Sequence, residues 1–184
     1  KLEKAITEHT KAVVAVHMFG LGSKIREIKE ICDRRGICLI EDASHAHGAE
    51  YNNKKIGTFG DMGVYSLHQR KAIPAGDGGI ICTDNSVTYN KLWKLRSFGD
   101  KQLSYNYRMT EFAAAIAQIG LNRIDEENKT RINNHRVLTH SMQSKSITIV
   151  EPLLEVKAVY YSNLLIIDLE KDQQELLVEK AQVK

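Results

Sequence analysis

The sequence has little of several features that define specialised classes of protein. Only two of its 184 residues are proline, and no low-complexity stretch occurs. No apolar run approaches the ~20 residues that a membrane span requires. The net charge is +3, with 26 basic residues scattered among 23 acidic ones, so there is no electrostatic basis for binding nucleic acid or a membrane. We therefore expect neither as a partner.

Cysteine is also scarce, and its number is odd. Cys38 and Cys82 lie in strand-like runs, and Cys32 lies in an amphipathic helical pattern. Three cysteines in such positions argue against a disulfide framework. We predict buried free thiols in a reducing compartment, which favours a cytoplasmic protein.

What remains is the composition of an ordinary globular protein, with 42% hydrophobic and 27% charged residues. The length suits one domain, or one domain and part of a second. The chain opens at Lys1 within a helix-like pattern, without an initiator methionine or a signal peptide. We therefore expect it to be a piece of a longer protein.

The first 42 residues follow a strand–helix–strand pattern. Residues 12–18 and 37–40 are apolar runs typical of buried strands. Between them, Ser23 is a candidate helix N-cap and Gly36 a candidate helix end. This unit predicts two parallel strands joined by a right-handed crossover. Such sheets bind ligands beyond the carboxyl ends of their strands, where Asp42 lies.

A second strand pattern, residues 63–67, leads to Lys71 and then to a glycine-rich turn at residues 76–79. An acid after one strand and a lysine after another are the two protein groups that pyridoxal phosphate chemistry needs. The lysine forms a Schiff base with the cofactor, and the acid keeps its pyridine nitrogen protonated. No G-x-G-x-x-G segment opens a helix, so a Rossmann-type nucleotide binder is disfavoured.

The remaining sequence predicts further regular elements. Helices are predicted to begin at Asn85 or Ser86, at Thr110 and at Asp172, and strands to cover residues 79–83, 147–150 and 158–168. The helix after Thr110 is long. We predict a domain boundary within it, near residues 130–140.

Four ordered segments resemble motifs of the DegT-type (DegT/DnrJ/EryC/StrS) sugar aminotransferases. Residues 41–49 (EDASHAHGA) are similar to that family's EDAAQAHGA segment, and residues 57–66 (GTFGDMGVYS) to its GSFGDAGxFSF segment. Residues 68–79 resemble its lysine loop, and residues 105–111 (YNYRMTE) its GYNYRMTE segment. Four motifs in the same order are far more specific than any single match.

The resemblance implies an α/β fold of fold type I, with a mainly parallel sheet and helices on both of its faces. Residues 1–135 would form the C-terminal part of the large domain that binds pyridoxal 5'-phosphate. Residues 136–184 would begin a smaller, incomplete α+β domain. Such enzymes work as homodimers, so we expect two copies of the chain to share each active site.

The resemblance also implies roles for five residues. Lys71 would hold the cofactor covalently and move the proton, and Asp42 would bind the pyridine nitrogen. Ser66 would contact the phosphate, and His45 would lie beside the ring near its phenolic oxygen. Asn106 would reach the phosphate of the partner subunit. We assign no metal ligands.

Lys71 further distinguishes reactions within the family, because relatives that act as sugar dehydratases carry histidine at this position. The implied function is transfer of an amino group from glutamate or glutamine to a keto sugar, with a nucleotide-linked sugar as the expected form, in amino-sugar, polysaccharide or antibiotic biosynthesis. Two alternatives stay open: an aminotransferase for keto-inositols (aminocyclitols), and a non-catalytic regulatory protein that binds the cofactor.

The sequence leaves two possible roles open for several residues. His45 stands where many relatives have glutamine, and it can donate a hydrogen bond or stack on the ring. Arg108 can contact substrate or tie its loop to Glu111. The pair Tyr160 and Tyr161 is expected in the core or at an interface rather than in the chemistry.

Overall fold

The computed structural model describes residues 1–97, 105–142 and 144–182. Its helices are α1 (Leu2–Ala5), α2 (Ile25–Arg35), α3 (Ser86–Arg96), α4 (Glu111–Ser141) and α5 (Lys171–Gln182). Its strands are β1 (Ala12–Val16), β2 (Cys38–Asp42), β3 (Glu50–Tyr51), β4 (Lys54–Lys55), β5 (Met62–Ser66), β6 (Gly79–Cys82), β7 (Ile147–Ile149), β8 (Val156–Lys157) and β9 (Leu165–Ile167).

The main sheet has four strands in the order β1-β2-β5-β6. β1, β2 and β5 run parallel, and β6 returns antiparallel to β5. The parallel pair β1–β2 confirms the strand–helix–strand unit expected from the sequence. Because β2 and β5 are parallel neighbours, Asp42 and Ser66, their last residues, lie at the same edge of the sheet.

The adjacent acids Glu41 and Asp42 of β2 point to opposite faces of this sheet. Asp42 pairs with Val16 on one side and Val64 on the other, and Glu41 pairs with Ala15 and Gly63. Successive side chains of a strand point to opposite faces. Glu41 therefore faces the buried core, where it is fully buried, and Asp42 projects from the opposite face.

Helix α2 covers the core face and ends at Gly36, whose φ of 62° is the left-handed conformation common at helix C-termini. The predicted N-cap was wrong. Lys24 occupies the N-cap position without a side-chain hydrogen bond. Ser23 lies close to His17 Nδ1 instead, with its backbone nitrogen at 3.1 Å and its hydroxyl oxygen at 3.3 Å.

Two clusters of buried side chains form the core. The larger one packs α2 and the sheet against the segment around β8, and includes Ile25, Cys32, Leu39, Ile56 and Val156. The smaller one packs the Lys71 loop against helix α4, and is formed by Leu67, Ala72, Ile73, Ala75, Ala117 and Ile124. The prediction that all cysteines are buried was wrong, since Cys82 is exposed and Cys38 half-buried.

A short hairpin, β3–β4, lies between β2 and β5 in the chain. Its turn residues Asn52 and Asn53 have φ values of 46° and 63°, which asparagine tolerates better than most residues. β3 also pairs with β8, so this hairpin joins the first half of the chain to the second.

Helix α4 begins as predicted, with the Thr110 side chain accepting a hydrogen bond from the Ala113 N–H. The boundary predicted between residues 135 and 136 falls inside this helix and stays a prediction. Residues 143, 183 and 184, which the predicted second domain includes, lie outside the described residues.

Within the described part of the chain, no helix is both long enough and apolar enough to cross a membrane.

Candidate active site

Lys71 lies in the connection between β5 and β6, and a network of backbone hydrogen bonds shapes that connection. Leu67 N–H donates to Gly78 O and Gln69 N–H to Gly76 O, both at 2.9 Å. Lys71 N–H donates to His68 O at 2.8 Å. The adjoining Ala72 and Ile73 are buried against α4. The lysine backbone is thus held on both sides, while its side chain is half-buried.

Asp42 ends β2 and is half-buried. Its Oδ1 accepts a hydrogen bond of 3.0 Å from the Ser44 N–H, as in an Asx-turn. Only one carboxylate oxygen takes part in this turn. Among the residues that the structure describes, Oδ2 has no such hydrogen bond.

His45 lies within electrostatic range of both groups. Burial and the positive charge of Lys71 lower the pKa of His45, and the negative charge of Asp42 opposes them. His45 Nδ1 accepts a hydrogen bond of 3.3 Å from the Phe19 N–H. The structure therefore brings together three residues that the sequence selected: Lys71, Asp42 and His45.

Tyr161 completes this group and was not selected as a site residue. Its ring stacks on the His45 ring, with centroids 4.2 Å apart and planes inclined by 13°. Lys71 Nζ lies 5.1 Å from the centroid of the Tyr161 ring, which is within the range of a cation–π interaction. Tyr161 thus contacts both residues, although it lies far from them in sequence.

Ser66 lies at the end of β5, on the face of the sheet that carries Asp42. Its Oγ accepts a hydrogen bond of 3.3 Å from the His68 N–H. That bond uses the oxygen as an acceptor and leaves the hydroxyl proton for another partner.

Glu41 organises the loop behind these residues. Its Oε2 accepts hydrogen bonds from His17 Nε2 (3.1 Å) and from Gly57 N–H (2.8 Å). Its Oε1 accepts from the N–H groups of Phe59 (2.5 Å) and Gly60 (2.7 Å). Burial alone would raise the pKa of Glu41, but these hydrogen bonds outweigh it and hold the pKa below its ordinary value.

Two further histidines are buried beside the site. His17 Nδ1 lies 3.1 Å from Ser23 N, which donates to it, so Nε2 carries the proton toward Glu41. Neither ring nitrogen of His47 forms a hydrogen bond among the described residues. Burial lowers the pKa of His47 to about 4, and the Ser66 backbone opposes that shift without reaching hydrogen-bond geometry.

Asn106 lies in the segment that precedes α4 rather than in the Lys71 group. It is exposed, and its Oδ1 accepts a hydrogen bond of 3.2 Å from Arg108 Nε. Tyr105 N–H and Tyr107 N–H donate to carbonyls at the end of α3 and so hold the segment in place. The role predicted for Asn106 at a second subunit stays a prediction.

Sequence reasoning missed two residues of the site region. The function of Glu41 was recoverable, because alternation along β2 turns consecutive acids to opposite faces of the sheet. Tyr161 gave no comparable signal. Its place depends on contacts between distant parts of the chain, which no local pattern encodes.

The group combines an amine, a carboxylate, an imidazole and a hydroxyl at the carboxyl ends of parallel strands, where ligands of such sheets bind. These groups match the needs of pyridoxal phosphate: an amine for the aldehyde, a carboxylate for the ring nitrogen and a hydroxyl donor for a phosphate oxygen. The described residues therefore fit part of a site for this cofactor.

Comparison with known proteins gives a consistent result. The sequence model of the DegT/DnrJ/EryC1/StrS aminotransferase family matches residues 1–183. GDP-perosamine synthase of Vibrio cholerae is 36% identical over 133 residues, which cover 68% of this chain and 36% of that protein. L-glutamine:2-deoxy-scyllo-inosose aminotransferase of Streptomyces kanamyceticus is 34% identical over 155 residues, with 74% and 36% covered.

Among solved structures, S. venezuelae DesV in complex with a ketimine intermediate superposes with a TM-score of 0.89 at 27% identity. The match covers 97% of this chain and 50% of that one. This likeness confirms the α/β fold class predicted from the sequence. The chain thus spans about a third of the two enzymes' length and half of the solved chain.

Proposed function

We propose, since the chain belongs to the DegT/DnrJ/EryC1/StrS aminotransferase family, that the intact protein transfers an amino group to a keto sugar. Aminotransferases of this family use pyridoxal phosphate. The observation that carries the proposal is that Lys71 and His45 both lie against the Tyr161 ring, close to Asp42 at the carboxyl edge of the sheet. Glutamate or glutamine is the amino donor that we propose.

The cofactor supplies an electron sink that allows an amino group to leave an amino acid and enter a keto compound. The chain's own residues would position the reactants and move protons. Lys71 Nζ would bind the cofactor, and once displaced it would carry the proton between carbon atoms. Asp42 Oδ2 would hold the proton on the ring nitrogen, and the Ser66 hydroxyl would donate to the phosphate.

The proposed site is shared between two copies of the chain, with Asn106 serving the partner. Large apolar side chains beside Asn106 support an interface there, because Tyr107 is 71% and Phe112 86% exposed. A mixture of Lys71→Ala and Asn106→Ala chains tests this arrangement. If sites are shared, mixed dimers regain one intact site and part of the activity; no recovery would contradict it.

The intact protein that contains this sequence, incubated with pyridoxal phosphate, tests the function itself. We expect a visible absorbance that borohydride bleaches, and its conversion by glutamate or glutamine to the amine form. Lys71→Ala should abolish the absorbance. Lys91→Ala, an exposed lysine of α3, is the matched control and should retain it.

The other candidate functions give different results in the same assay. A regulatory protein would bind the cofactor without converting an amino donor. An aminocyclitol enzyme would convert the donor but pass the amine to a keto-inositol rather than to a nucleotide-linked keto sugar. Absence of a bleachable absorbance in the wild-type protein would refute the proposal.

A further inference from the structure

His45 is enclosed by aromatic rings. Tyr161 stacks on it at 4.2 Å between centroids, and the Phe19 ring lies nearly parallel to it at 6.1 Å, inclined by 22°. At least one face of the imidazole is therefore occupied at stacking distance. That face is closed to a cofactor ring as long as Tyr161 keeps its place.

The backbone around Phe19 fixes the protonation of the same ring. Phe19 N–H donates to His45 Nδ1, so Nδ1 is unprotonated and the proton of the neutral ring lies on Nε2. Phe19 has a φ of 56°, which is uncommon for a residue other than glycine. A strained backbone at the residue whose N–H donates to His45 points to a functional constraint.

Contacts between distant segments bring Tyr161 to this position. Val159 N–H donates to Gly20 O at 3.2 Å. A side chain at Gly20 would begin 2.9 Å from both His45 O and a Val159 methyl group. The loop after β1 and the segment after β8 thus pack directly on each other, and Tyr161 follows within that segment.

We propose that Tyr161 is a positioning residue that, together with the Phe19 N–H, presents His45 to the site as an edge donor through Nε2–H rather than as a stacking ring. The function of this edge rests on the proposed function, since the acceptor that the family resemblance implies is the phenolic oxygen of the cofactor. The arrangement of the three residues does not depend on the cofactor. The arrangement favours the hydrogen-bonding role of His45 over the stacking role, because Tyr161 already occupies one face of the His45 ring.

The first test needs no cofactor. In the intact protein labelled with ¹⁵N-histidine, His45→Gln identifies the His45 ring signals. We expect Nδ1 to show the shift of an unprotonated nitrogen and Nε2 that of a protonated one at neutral pH. Tyr161→Phe should preserve both shifts, and Tyr161→Leu should move them toward an average of the two tautomers.

Tyr160→Leu is the matched control, because Tyr160 stacks on a different histidine, His135, at 3.6 Å. It should change the signals of His135 and leave those of His45. If Tyr161→Leu does not fold, Phe19→Leu tests the same enclosure and should also broaden the His45 tautomer distribution. A protonated Nδ1 in the wild type, or unchanged shifts in Tyr161→Leu, would overturn the inference.

The second test measures binding of pyridoxal phosphate. His45→Gln keeps a donor without a ring, and His45→Phe keeps a ring without a donor. For an edge donor, we expect His45→Gln to bind within about threefold of wild type and His45→Phe about tenfold more weakly, the size of one neutral hydrogen bond. The reverse order would establish stacking. Failure of the wild type to bind would refute the proposed function, while the nitrogen shifts would still judge the position of His45.

Discussion

Replacing Glu41 by glutamine tests whether this buried carboxylate holds the loop behind the site. Each carboxylate oxygen accepts two hydrogen bonds, Oε2 from His17 and Gly57 and Oε1 from Phe59 and Gly60. Glutamine retains one acceptor oxygen and places an NH₂ donor where the other oxygen was. In either orientation of the amide, the NH₂ group faces two of the four hydrogen-bond donors, and those two donors lose their acceptor.

The expected loss of stability comes from the two donors that have no acceptor. A buried polar group without a partner costs about 1–3 kcal/mol, so Glu41→Gln should lower the free energy of unfolding by about 2–6 kcal/mol. Chemical denaturation of the intact protein measures the change. Glu8→Gln is the matched control, because the Glu8 side chain is 86% exposed, and it should stay within about 0.5 kcal/mol of wild type.

The same account predicts a dependence on pH. The folded state lowers the pKa of Glu41, so its contribution is present above the unfolded pKa of about 4.3 and is lost as the pH falls through the folded value. The stability difference between wild type and Glu41→Gln should therefore shrink in acid. A difference below about 0.5 kcal/mol at neutral pH would refute the assigned role.

Two further predictions concern the surroundings of the site. Gly57→Ala should destabilise the fold by about 2 kcal/mol or more, because the φ of Gly57 is 93° and a Cβ there would lie 2.2 Å from Tyr65 Oη. Gly36→Ala is the control: Gly36 also has a positive φ but has open space around it, so the substitution should cost only about 1 kcal/mol. Equal losses of stability in chemical denaturation would contradict the packing argument. Burial lowers the pKa of His47 to about 4. The free energy of unfolding should therefore fall as the pH drops from about 6.5 toward 4, by up to about 3 kcal/mol. His47→Phe should weaken this dependence on pH, and an unchanged dependence would argue against a neutral buried ring.

Local patterns predicted the elements that position the site. The apolar runs of β1 and β2, the glycine that ends α2 and the threonine that begins α4 all act within a few residues, and the structure has each of them. The parallel pairing then follows from the helix between the strands, and it brings Asp42 to the sheet edge. This part of the site was predictable because its causes are local.

Other features depend on competition between partners. Ser23 is a good N-cap by residue type, but its backbone and hydroxyl lie against the buried His17 ring instead. Cys82 lies in an apolar strand, but that strand is exposed along its whole length in the described structure. Tyr161 is an ordinary aromatic residue by sequence and comes to lie on His45 only through long-range packing. Sequence patterns do not encode which of several possible partners a side chain meets.

The most direct test of the central claim is the site of covalent attachment of the cofactor. The intact protein is saturated with pyridoxal phosphate, reduced with borohydride, digested and analysed by mass spectrometry. We predict that the added mass of the reduced cofactor lies on the peptide that contains Lys71, and that Lys71→Ala lacks it while Lys91→Ala retains it. Attachment to another lysine, or none in the wild-type protein, would contradict the account.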